Sequence, residues 1–148
     1  MMWATSESIS GVASGVRGVT PRANNVMFNL ASAKRFFEEK LGISIGGDEQ
    51  VGDMNIAFVP VGEVKIELIE PRTEDGVIGK FLAKRGEGFH HIAYEVEDIE
   101  GALTGLKDGG VKLVDEVPRP GAGGKKVAFL HPKETQGVLT EIVEKKAG

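Results

Sequence analysis

The sequence predicts an α+β fold in which two βαβββ modules join their strands into one cup-shaped mixed sheet, with the helices packed outside. Three observations predict it. The stretches "NLASAKRFFEEKLGISI" (29–45) and "DIEGALTGLKDGGVKLV" (98–114) both carry a helical apolar stripe that stops at glycine. Each is followed by two strand signals in the same order, "NIAFVP" then "VKIELIE" in the first half and "KVAFLHP" then "VLTEIVE" in the second. The copies also keep register. Ala57-Phe58 matches Ala128-Phe129 at a separation of 71 residues (57 to 128), and Glu67 matches Glu141 at 74 (67 to 141), with the turn "KETQG" absorbing the difference. Such a repeat is one supersecondary unit used twice, and joining the two sheets buries what neither half buries alone.

Taken in order, residues 1–18 read as a flexible Ser/Gly-rich leader and 19–148 as a single domain, with halves at about 19–72 and 88–146. In the first helix Asn29 is the expected N-cap, Leu30, Ala33, Phe37 and Leu41 form the stripe, and Gly42 is the stop. Phe36 and Phe37 read as core packing. The segment "EDGVIGKFLAKRGEG" (74–88) predicts a connecting helix at about 76–85. Strand "HHIAYEV" opens the second half. Asp98 caps its helix, Ile99, Ala102, Leu103 and Leu106 form the stripe, and Gly109-Gly110 ends it before a β-branched strand start. Gly101 and Gly105 cost about 1 kcal/mol each against Ala, so this helix relies on packing. "RPGAGGKK" (119–126) has the glycine content of a phosphate cradle but not the strand-loop-helix context or terminal hydroxyl of a P-loop, and reads as a hairpin turn. His131, before Pro132, reads as a turn residue, and "EKKAG" as a solvated tail.

Composition narrows the chemistry. A net charge of −4 and a pI near 5.4 argue against nucleic acid as the main partner, leaving only local basic spots at Arg119, Lys125 and Lys126. With no cysteine, disulfides, thiolate metal sites and a thiol nucleophile are excluded. No apolar run approaches the roughly 20 residues of a spanning helix, and the N-terminal stretch has neither a basic n-region nor a clean apolar h-region. The expectation is a soluble, cytoplasmic protein with no membrane partner.

Strand parity selects a candidate site. Along "HHIAYEV", His91, Ala93 and Glu95 share one face and Ile92, Tyr94 and Val96 the other, because side chains alternate. The apolar set belongs under the helix, so His91 points into the cup and His90 away. Glu67 likewise lies opposite to Ile66 and Leu68, and Glu141 opposite to Ile142. Two carboxylates and an imidazole around a concavity suit a divalent cation, since buried unpaired carboxylates are costly. An N/O-only donor set fits Mn, Fe, Co, Ni or Zn with open positions rather than a closed structural zinc site. The plainer reading has Glu67 and Glu141 near sheet edges in water and His91 bonded to a backbone carbonyl.

At these residues the chain resembles a known family. "VGEVKIELIEP", "GEGFHHIAYEVEDIE", "PRPGAGGKKVAFLHPK" and "GVLTEIVE" are similar, in order and in spacing, to the methylmalonyl-CoA epimerases of the vicinal oxygen chelate superfamily, to which the glyoxalases also belong; "NLASAKRFFEEKLG" fits the family's first helix. The resemblance implies the paired βαβββ fold, a homodimer, an acyl-CoA substrate, and a divalent metal (Co, Mn, Ni, Zn or Fe) held by Glu67, His91 and Glu141. It further implies interconversion of (R)- and (S)-methylmalonyl-CoA by metal-assisted proton abstraction and return at the carbon alpha to the thioester. Glu141 is the expected acid/base group, acting with a loop carboxylate, and Lys125 and Lys126 are candidate substrate contacts.

Two departures bear on that reading. The family's first-strand histidine ligand is absent from "PRANNVMFN". Aligning "VRGVT" places Asn25 there, a weak amide ligand, whereas counting back from the helix cap places Arg22 there, which repels a cation or holds an anion. In the shortened loop "DEQVGDM" (48–54), counting back from Glu67 lands on Val51, leaving Glu49 or Asp53 as the substitute carboxylate. The alternatives are therefore another vicinal oxygen chelate metalloenzyme, such as a glyoxalase, or a metal-free small-molecule-binding protein on the same fold.

Overall fold

A computed structural model describes residues 20–146, so the 1–18 leader lies outside the described residues. Arg22–His91 forms one compact unit, and Ile92 opens the other.

The first unit holds β1 (Thr20–Val26), α1 (Leu30–Arg35), β2 (Glu49–Val51), β3 (Met54–Val61), β4 (Val64–Pro71), α2 (Val77–Arg85) and the start of β5 (Gly88–Val96). Its strand order is β2-β3-β4-β1, antiparallel except for the parallel β4-β1 pair. Ala57, Val59 and Leu68 turn to one face and bury against Met27 and Leu30, with Ala33 and Phe37 from the helical segment packed on them. The expected cap forms, with Asn29 accepting from the Ser32 amide at 2.8 Å. The helix departs from the expected stripe after Arg35, where Phe36–Lys40 forms π-helical turns. A wider turn advances one extra residue per turn, which carries Leu41 off the stripe to 53% exposure while Phe37 stays on the core. Gly42, at φ 64°, ends the segment, and the Ile43 amide reaches back to the Phe37 carbonyl as in a Schellman cap.

The second unit takes up β5 at Ile92 and continues with α3 (Ile99–Asp108), β6 (Arg119–Pro120), β7 (Lys126–Leu130) and β8 (Thr140–Glu144). The order β5-β8-β7-β6 repeats that of the first unit, again with one parallel pair. The predicted stripe Ile99, Ala102, Leu103 and Leu106 is buried against Val96, Ala128, Leu130 and Ile142, and Asp98 caps α3 through the Gly101 amide. The strand start expected after Gly110 does not become a strand. Leu113 makes one isolated bridge to Leu130, because the Phe129 carbonyl takes both the Val114 and Asp115 amides and the Asp115 carboxylate takes the Phe129 amide. Pairing resumes only at Arg119. Both units are thus βαβββ, the α+β class the repeat predicts.

Candidate active site

In the first unit, register builds the face turned away from α1. Antiparallel pairing sets Phe58 opposite Glu67, and parallel pairing sets Asn24 beside Glu67. Partners across a ladder share a face, so Arg22, two residues before Asn24, lies on it too. Pairing of Glu49 with Ile56 brings Glu49 to the same face. Arg22 and Asn24 are buried, Asn24 completely. The Arg22 Nη1 stands 3.7 Å from the Glu67 Oε1, with the two side chains 11% and 12% exposed. Asn24 Nδ2 donates to the Arg22 carbonyl at 3.5 Å, while its Oδ1 is buried with no hydrogen-bond partner, a costly condition for an amide oxygen.

The two strand histidines meet each other. The His90 and His91 Nδ1 atoms are 2.8 Å apart, the rings nearly perpendicular, and His90 also stacks edge-on against Phe81. Alternation sends the ring bodies to different sides, yet both Nδ1 atoms stay close enough to the backbone to bond. Burial, and next the neighbouring His91, lowers the His90 pKa to about 4, so at neutral pH a neutral His90 pairs with His91. This contact turns His91 Nε2 away from His90.

The second unit repeats the carboxylate arrangement. Glu141 is opposite Phe129 on β7 and beside Ala93 on β5, as Glu67 is opposite Phe58 and beside Asn24. Two residues upstream of Ala93 is His91; two upstream of Asn24 is Arg22. The repeat therefore makes Arg22 the first-half counterpart of His91. Glu95, on the Ala93 face, holds Lys125 at 2.7 Å with both side chains near 15% exposure (16% and 14%). Lys126 is exposed and reaches Glu100 on α3 and Glu144 on β8, its pKa raised chiefly by the hydrogen bond it donates to Glu100. Arg119 lies over the Phe129 ring at 5.1 Å and pairs with Asp115.

Of the remaining sequence candidates, Asn25 is the register partner of the core residue Leu68, so the residue that β1 sets beside Glu67 is Asn24. Sequence reading passed over Asn24; its signal was the two-residue spacing to Arg22. Asp53 lies at the β2-β3 turn, where its carboxylate accepts from the Thr73 hydroxyl at 3.4 Å. Glu49, not Asp53, shares the Glu67 face.

The donor chemistry in the first unit does not fit a divalent metal centre. A guanidinium has no lone pair to give, and its fixed charge beside Glu67 opposes a second cation there. Among the described residues no group of three or more His, Asp or Glu side chains is placed to hold a metal ion.

Comparison with known proteins places these observations in a lineage. Residues 25–129 match the family model described as the Glyoxalase/Bleomycin resistance protein/Dioxygenase superfamily. The chain is 44% identical over 122 residues to the uncharacterized protein YqjC of Bacillus subtilis, covering 81% of this chain and 87% of that one. It is 39% identical over 118 residues to the ethylmalonyl-CoA/methylmalonyl-CoA epimerase of Cereibacter sphaeroides, covering 77% and 88%. A solved methylmalonyl-CoA epimerase in complex with methylmalonyl-CoA and NH4+ superposes with a TM-score of 0.78 at 32% identity, covering 85% of this chain and 93% of that one.

Proposed function

The chain belongs to the glyoxalase/bleomycin resistance protein/dioxygenase superfamily, and from that premise we propose that it is an isomerase of the epimerase type, interconverting (R)- and (S)-methylmalonyl-CoA. The observation that carries this reading is its 39% identity to an ethylmalonyl-CoA/methylmalonyl-CoA epimerase over 88% of that protein's length. The repeated carboxylates Glu67 and Glu141 supply acidic groups of the kind the reaction uses.

The carbon between a carboxylate and a thioester is a weak acid. Removing its proton sends the electron pair to the thioester oxygen, and returning a proton from the other face inverts the centre, so two proton-transfer groups are needed. Glu141 is proposed as one. Glu49 is proposed as the other, supported by its place on the Glu67 face, whereas Asp53 is engaged with Thr73. Lys125, paired with Glu95, and Lys126, paired with Glu100 and Glu144, are proposed as contacts for an anionic group of CoA. The family resemblance implies a divalent cation that would stabilise the developing enolate; the residues around Glu67 do not fit one. We further propose action as a homodimer in the cytoplasm. Among the described residues no helix is long and apolar enough to cross a membrane, and Phe36 and Phe89 stand half exposed in the first unit.

The test is proton exchange. Incubation with methylmalonyl-CoA in deuterated water, with and without cobalt, is expected to place deuterium on the carbon between the two carbonyl groups. Exchange no faster than without protein, with binding of the thioester retained, identifies a binding protein instead.

A further inference from the structure

We propose that Arg119 binds the carboxylate that a malonyl-type thioester carries on its reacting carbon, which makes it a specificity-determining residue of the Glu141 face. The proposal rests on the epimerase reading, in which Glu141 works on that carbon.

Three observations carry it. First, register puts Arg119 on the face of Glu141. Arg119 pairs with Val127 across β6 and β7, and Phe129, two residues on, pairs with Glu141 across β7 and β8; ladder partners and residues two apart share a face. The Phe129 amide and carbonyl turn away from β8, to the Asp115 carboxylate at 2.9 Å and to the Val114 and Asp115 amides. Phe129 and Glu141 are therefore a non-hydrogen-bonded pair, the kind whose Cα atoms stand about 4.5 Å apart with their side chains closest.

Second, the Arg119 guanidinium is laid over that same ring, 5.1 Å from its centroid. Asp115 holds both partners in place, its Oδ2 accepting from the Phe129 amide and standing 3.3 Å from the Arg119 Nε. One carboxylate oxygen at the Nε edge does not use the five N–H donors of a guanidinium, and the Arg119 side chain stays 55% exposed. The cation is positioned and still has donors to give.

Third, the repeat marks the position. Ile56 and Val127 directly precede the matched residues Ala57 and Ala128, and the edge strand sets Glu49 beside Ile56 as it sets Arg119 beside Val127. Where the first half places the carboxylate proposed for proton transfer, the second places a cation. A guanidinium holds its protons at neutral pH, so its contribution is charge and directed N–H groups.

The ligand class follows from that chemistry. Parallel N–H groups of a guanidinium match the two oxygens of a carboxylate, and such charge-assisted pairs are strong and directional. In a methylmalonyl thioester the carboxylate is one bond from the carbon Glu141 addresses, whereas the phosphates of CoA lie at the far end of the pantetheine arm. Pairing with Arg119 would orient that carbon toward Glu141 and offset the repulsion between the carboxylate and the negative charge developing on the thioester oxygen.

The experiment compares calorimetric affinities of the full chain for methylmalonyl-CoA and propionyl-CoA, which differ only in the carboxylate. The wild type is expected to prefer methylmalonyl-CoA by about tenfold. Arg119→Gln is expected to bring the two affinities together, and Arg119→Lys, which keeps the charge without the fork, to retain part of the preference. Circular dichroism of each variant checks that the fold is kept, as the exposure of this side chain at a sheet edge predicts. Equal wild-type affinities overturn the proposal. So does an undiminished preference in Arg119→Gln, and so does equal weakening of both thioesters, which would assign Arg119 to a phosphate of CoA. Deuterium exchange separates the two readings: an Arg119-dependent preference without exchange leaves this proposal standing and the epimerase reading fallen, and exchange with a preference indifferent to Arg119 does the reverse.

Discussion

The Glu144 carboxylate accepts a hydrogen bond from the Ile99 amide at 3.2 Å, fastening the first turn of α3 to the last strand of its own module. Glu70 does the same for the Leu30 amide of α1 at 3.1 Å. In each half the final strand thereby satisfies an amide that the helix start leaves unpaired, and a negative charge sits at the positive end of the helix.

Replacing Glu144 with Ala should destabilise the protein by about 1–2 kcal/mol, the scale of a lost cap and a charge-assisted bond. Glu144→Gln, which keeps an acceptor, should lose less. Urea unfolding midpoints at unchanged slope check this.

Gly79, inside α2, is a packing requirement. A Cβ at this position would stand 2.5 Å from the Thr73 carbonyl oxygen and 2.6 Å from that of Glu74, and backbone oxygens cannot swing aside. Gly79→Ala should therefore lower stability by about 1–3 kcal/mol, although alanine favours an exposed helix interior by about 1 kcal/mol over glycine. Thermal melting of the variant decides between the two signs.

The pH dependence follows from His90. Its folded-state pKa, about 4, lies below the ordinary 6.5 because of burial and then the neighbouring His91. Between those values the unfolded chain binds the proton that the folded chain refuses, so this contribution to stability is present above pH 6.5 and is lost as pH falls toward 4. Unfolding free energies measured across that window should decline toward acid, and His90→Asn should flatten the decline.

Glu141→Gln should reduce deuterium exchange into methylmalonyl-CoA by about 100-fold or more, the usual contribution of a positioned acid or base, while thioester binding stays within a few-fold. Glu49→Gln should also slow exchange, and Asp53→Asn should not. Rate measurements on the three variants assign the second proton-transfer group.

Much of this was legible in the sequence because it is local. The repeat, the Asn29 and Asp98 caps, the stripe of α3 and the opposite facing of Ala93 and Val96 follow from helical period, strand alternation and capping chemistry, all decided within a few residues. The α1 stripe was legible only in part. Nothing in "KRFFEEK" announces the π-helical turns that carry Leu41 outward.

By itself the sequence determined that two βαβββ modules exist and which faces of their strands are apolar. Only the tertiary structure decided that Asn24, not Asn25, stands beside Glu67, that Arg22 is thereby brought to the Glu67 carboxylate, and that Glu49 shares this face while Asp53 turns to Thr73. The reason is register. A slip of one residue in strand pairing moves every side chain to the opposite face, and that register is set by hydrogen bonds between strands some forty residues apart in the chain, which no local pattern encodes.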